Sequence, residues 1–138
     1  MTVTHPRRKS ETYNLTNIRS TPYPNTLLDV ILTLPETQAR IVSLIVRETL
    51  GWSGDTPGTR RAIVRLSYRE IKERIGRNSS SVISVAVEEL VSRGIVETLD
   101  GSNRVLLSAA DRQRLRAPLW FRIARMYVEV SEPLSSCG

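Results

Sequence analysis

Arginine is the residue type in this sequence best suited to chemistry on a partner molecule. The 138-residue chain carries 20 Lys and Arg against 14 Asp and Glu, a formal net charge of +6, and Lys9 and Lys72 are its only lysines. The arginine guanidinium binds phosphate and guanine through paired hydrogen bonds that lysine cannot make. A basic balance of this kind favours an acidic partner, with nucleic acid ahead of an anionic membrane. A GC-rich genome would also encode Arg in place of Lys, but it would not produce the net charge.

Residue types that enzymes and metal sites require are scarce. His5 is the only histidine and Cys137 the only cysteine, which argues against a disulfide framework and a Cys/His metal site. Glu88 and Glu89 are adjacent, and adjacent side chains on a helix point in different directions, so they make a poor acid/base pair. The sequence contains no Gly-rich phosphate loop. We therefore expect no enzyme activity, no metal and no cofactor.

The positive charge is concentrated in three places. Residues 1–20 carry four basic residues against one acidic residue, and residues 101–138 carry six against three, so each end has a net charge of +3. Residues 21–100 carry ten of each sign, yet seven of those ten basic residues lie between Arg60 and Arg77. This pattern favours a phosphate-facing surface over scattered solubilising charge, although a charge run is often only a solvated face.

The stretch RNSSSVISVAVEELVSRGIV, from Arg77 to Val96, holds five serines and five valines and has no basic residue between Ser79 and Ser92. A period of 3.6 residues places its apolar side chains on one stripe, which predicts a helix of about four turns that ends before Gly94. Asn78 or Ser79 is its expected N-cap. The stripe comprises Ile83, Ala86, Val87, Leu90 and Val91, and the outward face comprises Ser80, Ser81, Ser84, Val85 and Glu88.

Other elements surround this helix. Apolar spacing predicts helices over residues 25–33 and 36–50 and a short strand over residues 62–66. A further helix begins at Ser67, which forms a capping box with Glu70, and ends at Gly76. After Gly94, two apolar runs joined by Asp-Gly-Ser-Asn predict a β-hairpin over residues 95–108.

This layout predicts a mainly α fold with a small β-hairpin wing, a winged helix-turn-helix, which binds double-stranded DNA with its second helix in the major groove. Serine can bond to any base, and Val85 could contact a thymine methyl group. The expected base-reading residues are Ser79, Ser80, Ser81, Ser84, Val85 and Glu88. The expected backbone and wing contacts are Arg60, Arg61, Arg69, Arg74, Arg77, Arg93, Ser102, Asn103 and Arg104. The alternatives are a plain helical domain whose serines face water and a winged helix that binds protein.

Residues 21–96, a little over half of the chain, resemble a known family. The segments Thr-Pro-Tyr-Pro-Asn from Thr21 and Arg-Glu-Thr-Leu-Gly-Trp from Arg47 to Trp52 are similar to the N-terminal winged-helix domain of lambdoid phage replication protein O and related phage and plasmid replication initiators. The resemblance implies origin or repeat binding, often as a dimer or array. Longer members use a further C-terminal region to recruit the replicative helicase, and we expect that region here to be missing or reduced to a short segment.

The expected domain organisation has four parts. Residues 1–20 form a basic, disordered arm, residues 21–108 form the winged helix, residues 109–130 form an amphipathic helical segment, and residues 131–138 form a disordered tail. Leu119, Trp120, Ile123 and Tyr127 recur at helical spacing in the third part. They are expected either to complete the core or to contact a partner, which would be a second copy in a homodimer or a replication protein.

The sequence has no signal peptide and no apolar run long enough to span a membrane, so we expect a cytoplasmic protein. The expected function is sequence-specific binding of double-stranded DNA in replication initiation of a phage, plasmid or integrated element. A transcriptional repressor that uses the same helix is the alternative within this class. A site among the repeats of an origin would favour replication, and a site that overlaps a promoter would favour repression.

Overall fold

The computed structural model describes residues 11–77, 79–115 and 118–128. The predictions made for residues 1–10 of the arm, for Asn78 as an N-cap and for the tail over residues 131–138 lie outside the described residues. Within them the chain is a mixed α/β structure in which helices pack on a three-stranded antiparallel sheet. The helices are α1 (Asn25–Ile31), α2 (Glu36–Thr49), α3 (Tyr68–Ile75), α4 (Ser80–Ser92) and α5 (Ala109–Arg114), and the strands are β1 (Val64–Leu66), β2 (Val96–Leu99) and β3 (Leu119–Ile123).

Helix α2 forms the centre of the core, as its broad apolar face predicts. Ile41, Val42, Ile45 and Val46 are fully buried, and α2 packs against α1, α3, α4 and the sheet. Thr49 is also buried, at the C-terminal end of α2, and the Thr49 hydroxyl donates a hydrogen bond of 2.7 Å to the backbone oxygen of Ile45. A helix buried on several sides provides a rigid base for its neighbours.

The predicted start and stop signals of α3 and α4 are confirmed in their local detail. Ser67 and Glu70 form both halves of a capping box at the start of α3, with bonds of 3.0 Å in each direction. Gly76 ends α3 with a φ of 74°, and Gly94 follows α4 with a φ of 72°. Only glycine adopts this left-handed backbone without strain, so both stop signals act as the sequence indicates.

The prediction of a helical segment over residues 109–130 is wrong for residues 119–123. Helix α5 begins at its expected N-cap, Ser108, but residues 119–123 form β3, the central strand of the sheet, which pairs with β1 and β2. Leu119 and Ile123 fit a helical spacing, but together with Phe121 they also fit a period of two. The sheet decides between the two patterns, because β3 as a strand buries all three side chains against the core.

The predicted hairpin after Gly94 is right in its first strand and its turn, and wrong in its second strand. The Asp100 carboxylate accepts hydrogen bonds from the backbone N–H groups of Ser102 and Arg104, at 2.8 and 2.9 Å. The returning run forms one bridge, between Leu99 and Val105, instead of a strand. Two backbone hydrogen bonds flank the bridge, from Asp100 N–H to the Arg104 oxygen at 3.0 Å and from Leu106 N–H to the Thr98 oxygen at 2.7 Å. The layout is compatible with the predicted winged helix-turn-helix, with α5 inserted between β2 and β3.

No helix among the described residues is long and apolar enough to cross a membrane.

Candidate nucleic-acid interface

The start of α4 presents short side chains on a rigid helix. Ser80 and Ser81 are exposed, and the exposed fractions of Val82 and Val85 are 42% and 69%. On the opposite side of the helix the predicted stripe is buried from Ile83 to Leu90. The predicted reading face therefore lies at the surface for its first two turns, backed by the core.

Ser79 is the N-cap residue of α4, but its side chain does not cap the helix. Its hydroxyl lies 2.7 Å from the hydroxyl of Ser81, and it makes no side-chain bond to the backbone of the first turn. The first turn also contains no acidic residue. Backbone N–H groups that no side chain caps at a helix N-terminus can bind a phosphate oxygen.

Glu88 is placed differently from the other predicted base-reading residues. Its carboxylate forms an ion pair with the guanidinium of Arg112, whose side chain is only 4% exposed. Arg112 also donates a hydrogen bond to the backbone oxygen of Leu106. Base reading by Glu88 stays a prediction, but the fold already uses this carboxylate to compensate a buried charge.

Ser84 is half-buried and lines a cavity of about 370 Å³ between α3, α4 and α5. Tyr68 and Arg112 also line it. Burial raises the pKa of the Tyr68 hydroxyl, and the nearby charge of Arg112 partly opposes that rise. Tyr68 consequently stays protonated at neutral pH. Because Ser84 lines this cavity, it is less exposed than Ser80 and Ser81 of the predicted reading face.

Three predicted phosphate contacts lie on α3 or directly after it, and each pairs with a carboxylate. Arg77 pairs with Glu36 at 3.2 Å and bonds the hydroxyl of Thr37 at 3.1 Å. Arg74 pairs at 3.4 Å with Glu48 of α2, and Arg69 pairs at 3.4 Å with Glu73 of its own helix α3. Exposed ion pairs contribute about 0–1 kcal/mol, so these guanidinium groups can exchange a carboxylate for a phosphate at little cost.

The remaining predicted backbone contacts lie elsewhere. Arg93 is exposed at the C-terminal end of α4, and Ser102, Asn103 and Arg104 are exposed in the turn after β2. Asn103 has a left-handed φ of 66°, which asparagine tolerates better than most residues. Since α4 has 13 residues, its two ends are about 20 Å apart, and Arg93 is that far from the serines.

Arg60 and Arg61 belong to a separate site at the C-terminal end of α2. Arg61 lies over the ring of Trp52, with its guanidinium carbon 5.3 Å from the ring centroid, and Arg47 approaches the same ring at 5.8 Å. The start of α4 instead faces Pro35, Thr37 and Gln38 at the other end of α2. The 14 residues of α2 span about 20 Å, so the predicted contacts form two groups.

The predicted partner contacts lie on both faces of β3. Leu119 and Ile123 are buried in the chain's own core, which corresponds to the core-completion alternative. Trp120 is half-buried on the outer face of the sheet, in register with Arg65 and Leu99. Tyr127 is half-buried and packs at the edge of the core. The buried pair is therefore unavailable to a partner.

Two features of the interface were missed at the sequence level. Val82 is exposed beside Val85, and both line an apolar groove against the start of α2. The helical periodicity that exposes Val85 also indicates this position for Val82. Arg112 is the second missed residue, and no local signal could identify it, because its partner Glu88 is 24 residues away.

The described residues contain no group of His, Cys, Asp or Glu side chains that could hold a metal ion. Comparison of the chain with family models, curated proteins and solved structures gave no match.

Proposed function

We propose that this protein binds double-stranded DNA with a winged helix, with the start of α4 in the major groove. The observation that carries the proposal is the uncapped start of α4, whose first two turns expose Ser80, Ser81 and Val85 on the face opposite a buried helical stripe. An α-helix fits the major groove, where each base pair presents a distinct pattern of donors, acceptors and methyl groups.

Each group of residues has a role in this proposal. The hydroxyls of Ser80 and Ser81 bond base edges, and Val82 and Val85 contact thymine methyl groups. Arg69, Arg74 and Arg77 bind the flanking phosphates, which position the helix without carrying sequence information. Ser102, Asn103 and Arg104 form the tip of a short wing that contacts the backbone. The formal charge of +6 attracts the duplex over a longer range.

Replication initiation is the proposed setting, on the strength of the resemblance of residues 21–96 to phage and plasmid initiators. In this setting the target lies among iterated repeats at an origin, and a second copy of the chain occupies the next repeat. A target that overlaps a promoter would instead assign the same helix to a repressor.

One observation favours a second candidate function, which is binding of a protein segment. Val82 and Val85 line a groove with Pro35, Thr37 and Gln38 whose walls are mostly apolar, and exposed apolar patches often mark protein interfaces. A protein-binding winged helix would use this groove and would show no affinity for DNA even at low salt.

Selection of the target from a random duplex library, followed by methylation interference, tests major-groove reading. Methylation of guanine N7 blocks the major groove alone, and methylation of adenine N3 blocks the minor groove alone. We expect N7 methylation within the selected site to abolish binding and N3 methylation at its centre to have little effect. Interference from the minor groove alone would contradict the placement of α4.

A further inference from the structure

At the C-terminal end of α2 a cleft of about 470 Å³ lies between the chain that precedes α1 and the loop after α2. We call it the Trp52 cleft, and its lining includes Leu15, Ile18, Arg19, Arg47, Trp52 and Arg60. No carboxylate is among its lining residues in the part of the chain that the structure describes. It therefore combines uncompensated positive charge with apolar surface.

Short-range contacts close the cleft at its base. A Cβ atom on Gly51 would lie 2.3 Å from the backbone oxygen of Arg47 and 2.9 Å from the hydroxyl of Thr21. A side chain at Gly51 would therefore clash with the backbone at the end of α2, and the Thr21 side chain closes the same space from the segment before α1. The two segments that carry the family resemblance, from Thr21 and from Arg47, thus meet at this cleft.

A tight hairpin holds the outer wall. The backbone N–H of Arg61 donates to the backbone oxygen of Trp52 at 3.0 Å, and the backbone N–H of Gly54 donates to the backbone oxygen of Thr59 at 2.8 Å. Ser53 and Arg60 form a bridge between these bonds. The hairpin therefore holds the guanidinium of Arg61 over the Trp52 ring and places Arg60 at the cleft.

The cleft exposes an unusual amount of apolar surface for a basic site. The exposed fractions are 64% for Leu15, 50% for Ile18 and 45% for Trp52. The phosphates of a duplex require only charge at a convex surface. An apolar wall beside three arginines fits instead a ligand with a flat apolar ring and an anionic group, which is the chemistry of a nucleotide whose base is unpaired.

We propose that the Trp52 cleft binds single-stranded nucleic acid. An unpaired base stacks on the exposed part of the Trp52 indole or on the guanidinium plane of Arg61, and both surfaces are used for unpaired bases. Leu15 and Ile18 pack against the base or sugar, and Arg19, Arg47 and Arg60 bind the phosphates. This binding does not depend on duplex reading by α4, because the two sites lie near opposite ends of α2.

Tryptophan fluorescence tests the proposal directly, because the chain has only two tryptophans, Trp52 and Trp120. In a Trp120→Phe background, emission reports Trp52 alone, and titration with an oligothymidine of about 20 nucleotides should quench it through base stacking. In the matched Trp52→Phe background, emission reports Trp120 on the outer face of the sheet and should not change. Unchanged Trp52 emission at saturating oligothymidine would overturn the proposal.

Affinity measurements with labelled oligothymidine separate stacking from general charge attraction. Trp52→Ala should weaken binding at least about fivefold, and Arg60→Ala should weaken it more than Arg65→Ala, which removes the same charge from the exposed face of β1. Equal losses in the two arginine variants would overturn the proposal. Circular dichroism and duplex affinity confirm folding of Trp52→Ala, and Trp52→Phe, which retains a stacking ring, should bind oligothymidine better than Trp52→Ala.

Two further arms identify the ligand and keep this proposal separate from the duplex-binding function. Vesicles of phosphatidylcholine with phosphatidylserine should leave Trp52 emission unchanged, and a response to vesicles without a response to oligothymidine would assign the cleft to lipid. Ser81→Glu should lose duplex binding and retain oligothymidine binding. If Ser81→Glu retains both duplex and oligothymidine binding, the role of α4 fails and that of the cleft stands. If Trp52→Ala retains both kinds of binding, the role of the cleft fails and that of α4 stands.

Discussion

The start of α4 and the Trp52 cleft are near opposite ends of α2 and are built from different residue types. The α4 face presents uncharged serines and valines on a regular helix, and the arginines of α3 and of the turn after it pair with carboxylates. The cleft presents an indole and two arginines on loops and a third arginine, Arg47, from α2, and no carboxylate is among its described lining residues. Small side chains on a rigid helix suit the base edges of a duplex, whereas guanidinium groups and an aromatic ring suit unpaired nucleotides. Charge alone would favour the Trp52 cleft as the duplex interface, whereas we propose the start of α4 for that role.

Ile83→Asp should remove both sites together and have the largest effect. Ile83 is fully buried, and an unpaired carboxylate in the core should cost more than about 4 kcal/mol of the free energy of unfolding. We expect loss of the cooperative thermal transition in circular dichroism and loss of both duplex and oligothymidine binding. Ile83→Val, which keeps the apolar stripe, is the matched control. A soluble, folded Asp variant would show that the buried face of α4 is wrongly assigned.

Ser81→Glu should separate the two sites. A carboxylate at the exposed start of α4 would face DNA phosphates, and like charges at an interface cost several kcal/mol, so duplex affinity should fall about 100-fold or more. The thermal midpoint should be nearly unchanged, because Ser81 is exposed. Ser81→Gln, which adds a similar volume without charge, should lose far less affinity. Normal duplex binding by Ser81→Glu would remove α4 from the interface.

Glu88→Ala should reduce stability without changing the DNA target. Breaking a buried ion pair costs roughly 3–5 kcal/mol, and we expect about 1–3 kcal/mol here because the Glu88 side chain is 43% exposed and solvent screens the pair. Urea unfolding measures this loss, and Glu88→Gln, which retains an acceptor for Arg112, should lose less. An altered selected target with an unchanged free energy of unfolding would return Glu88 to the reading face.

Arg77→Ala should have the smallest effect and should act on all duplexes alike. One lost phosphate contact reduces the slope of log affinity against log salt by about one unit. Anisotropy titrations of selected and random duplexes at several salt concentrations measure that slope. Arg77→Lys, which retains the charge, should keep most of the slope of the unsubstituted protein. A loss confined to the selected target would assign Arg77 to base reading instead.

Helices α3 and α4 could be predicted because their signals are local. The start of α3 is fixed by Ser67 with Glu70, and the ends of α3 and α4 are fixed by the glycines at positions 76 and 94. The stripe from Ile83 to Leu90 identifies the buried face of α4. The outward face follows from the same periodicity.

The parts that failed depend on contacts distant in sequence. Residues 119–123 fit both a helix and a strand, and the choice depends on pairing with Val64, 57 residues earlier, and with Val96. The Pro118 break and the alternation of Leu119, Phe121 and Ile123 were the available signals. The pairing of Glu88 with Arg112 has no sequence signal, because it requires α5 to fold back on α4.

The most direct test of the central claim is fluorescence anisotropy of a labelled random duplex of about 30 base pairs at several salt concentrations. We expect binding at low salt that weakens steeply as salt rises, with a slope of about −0.9 for each phosphate contacted and several phosphates in total. No binding at low salt would contradict duplex recognition by α4 and would favour a protein partner at the groove beside Val82 and Val85.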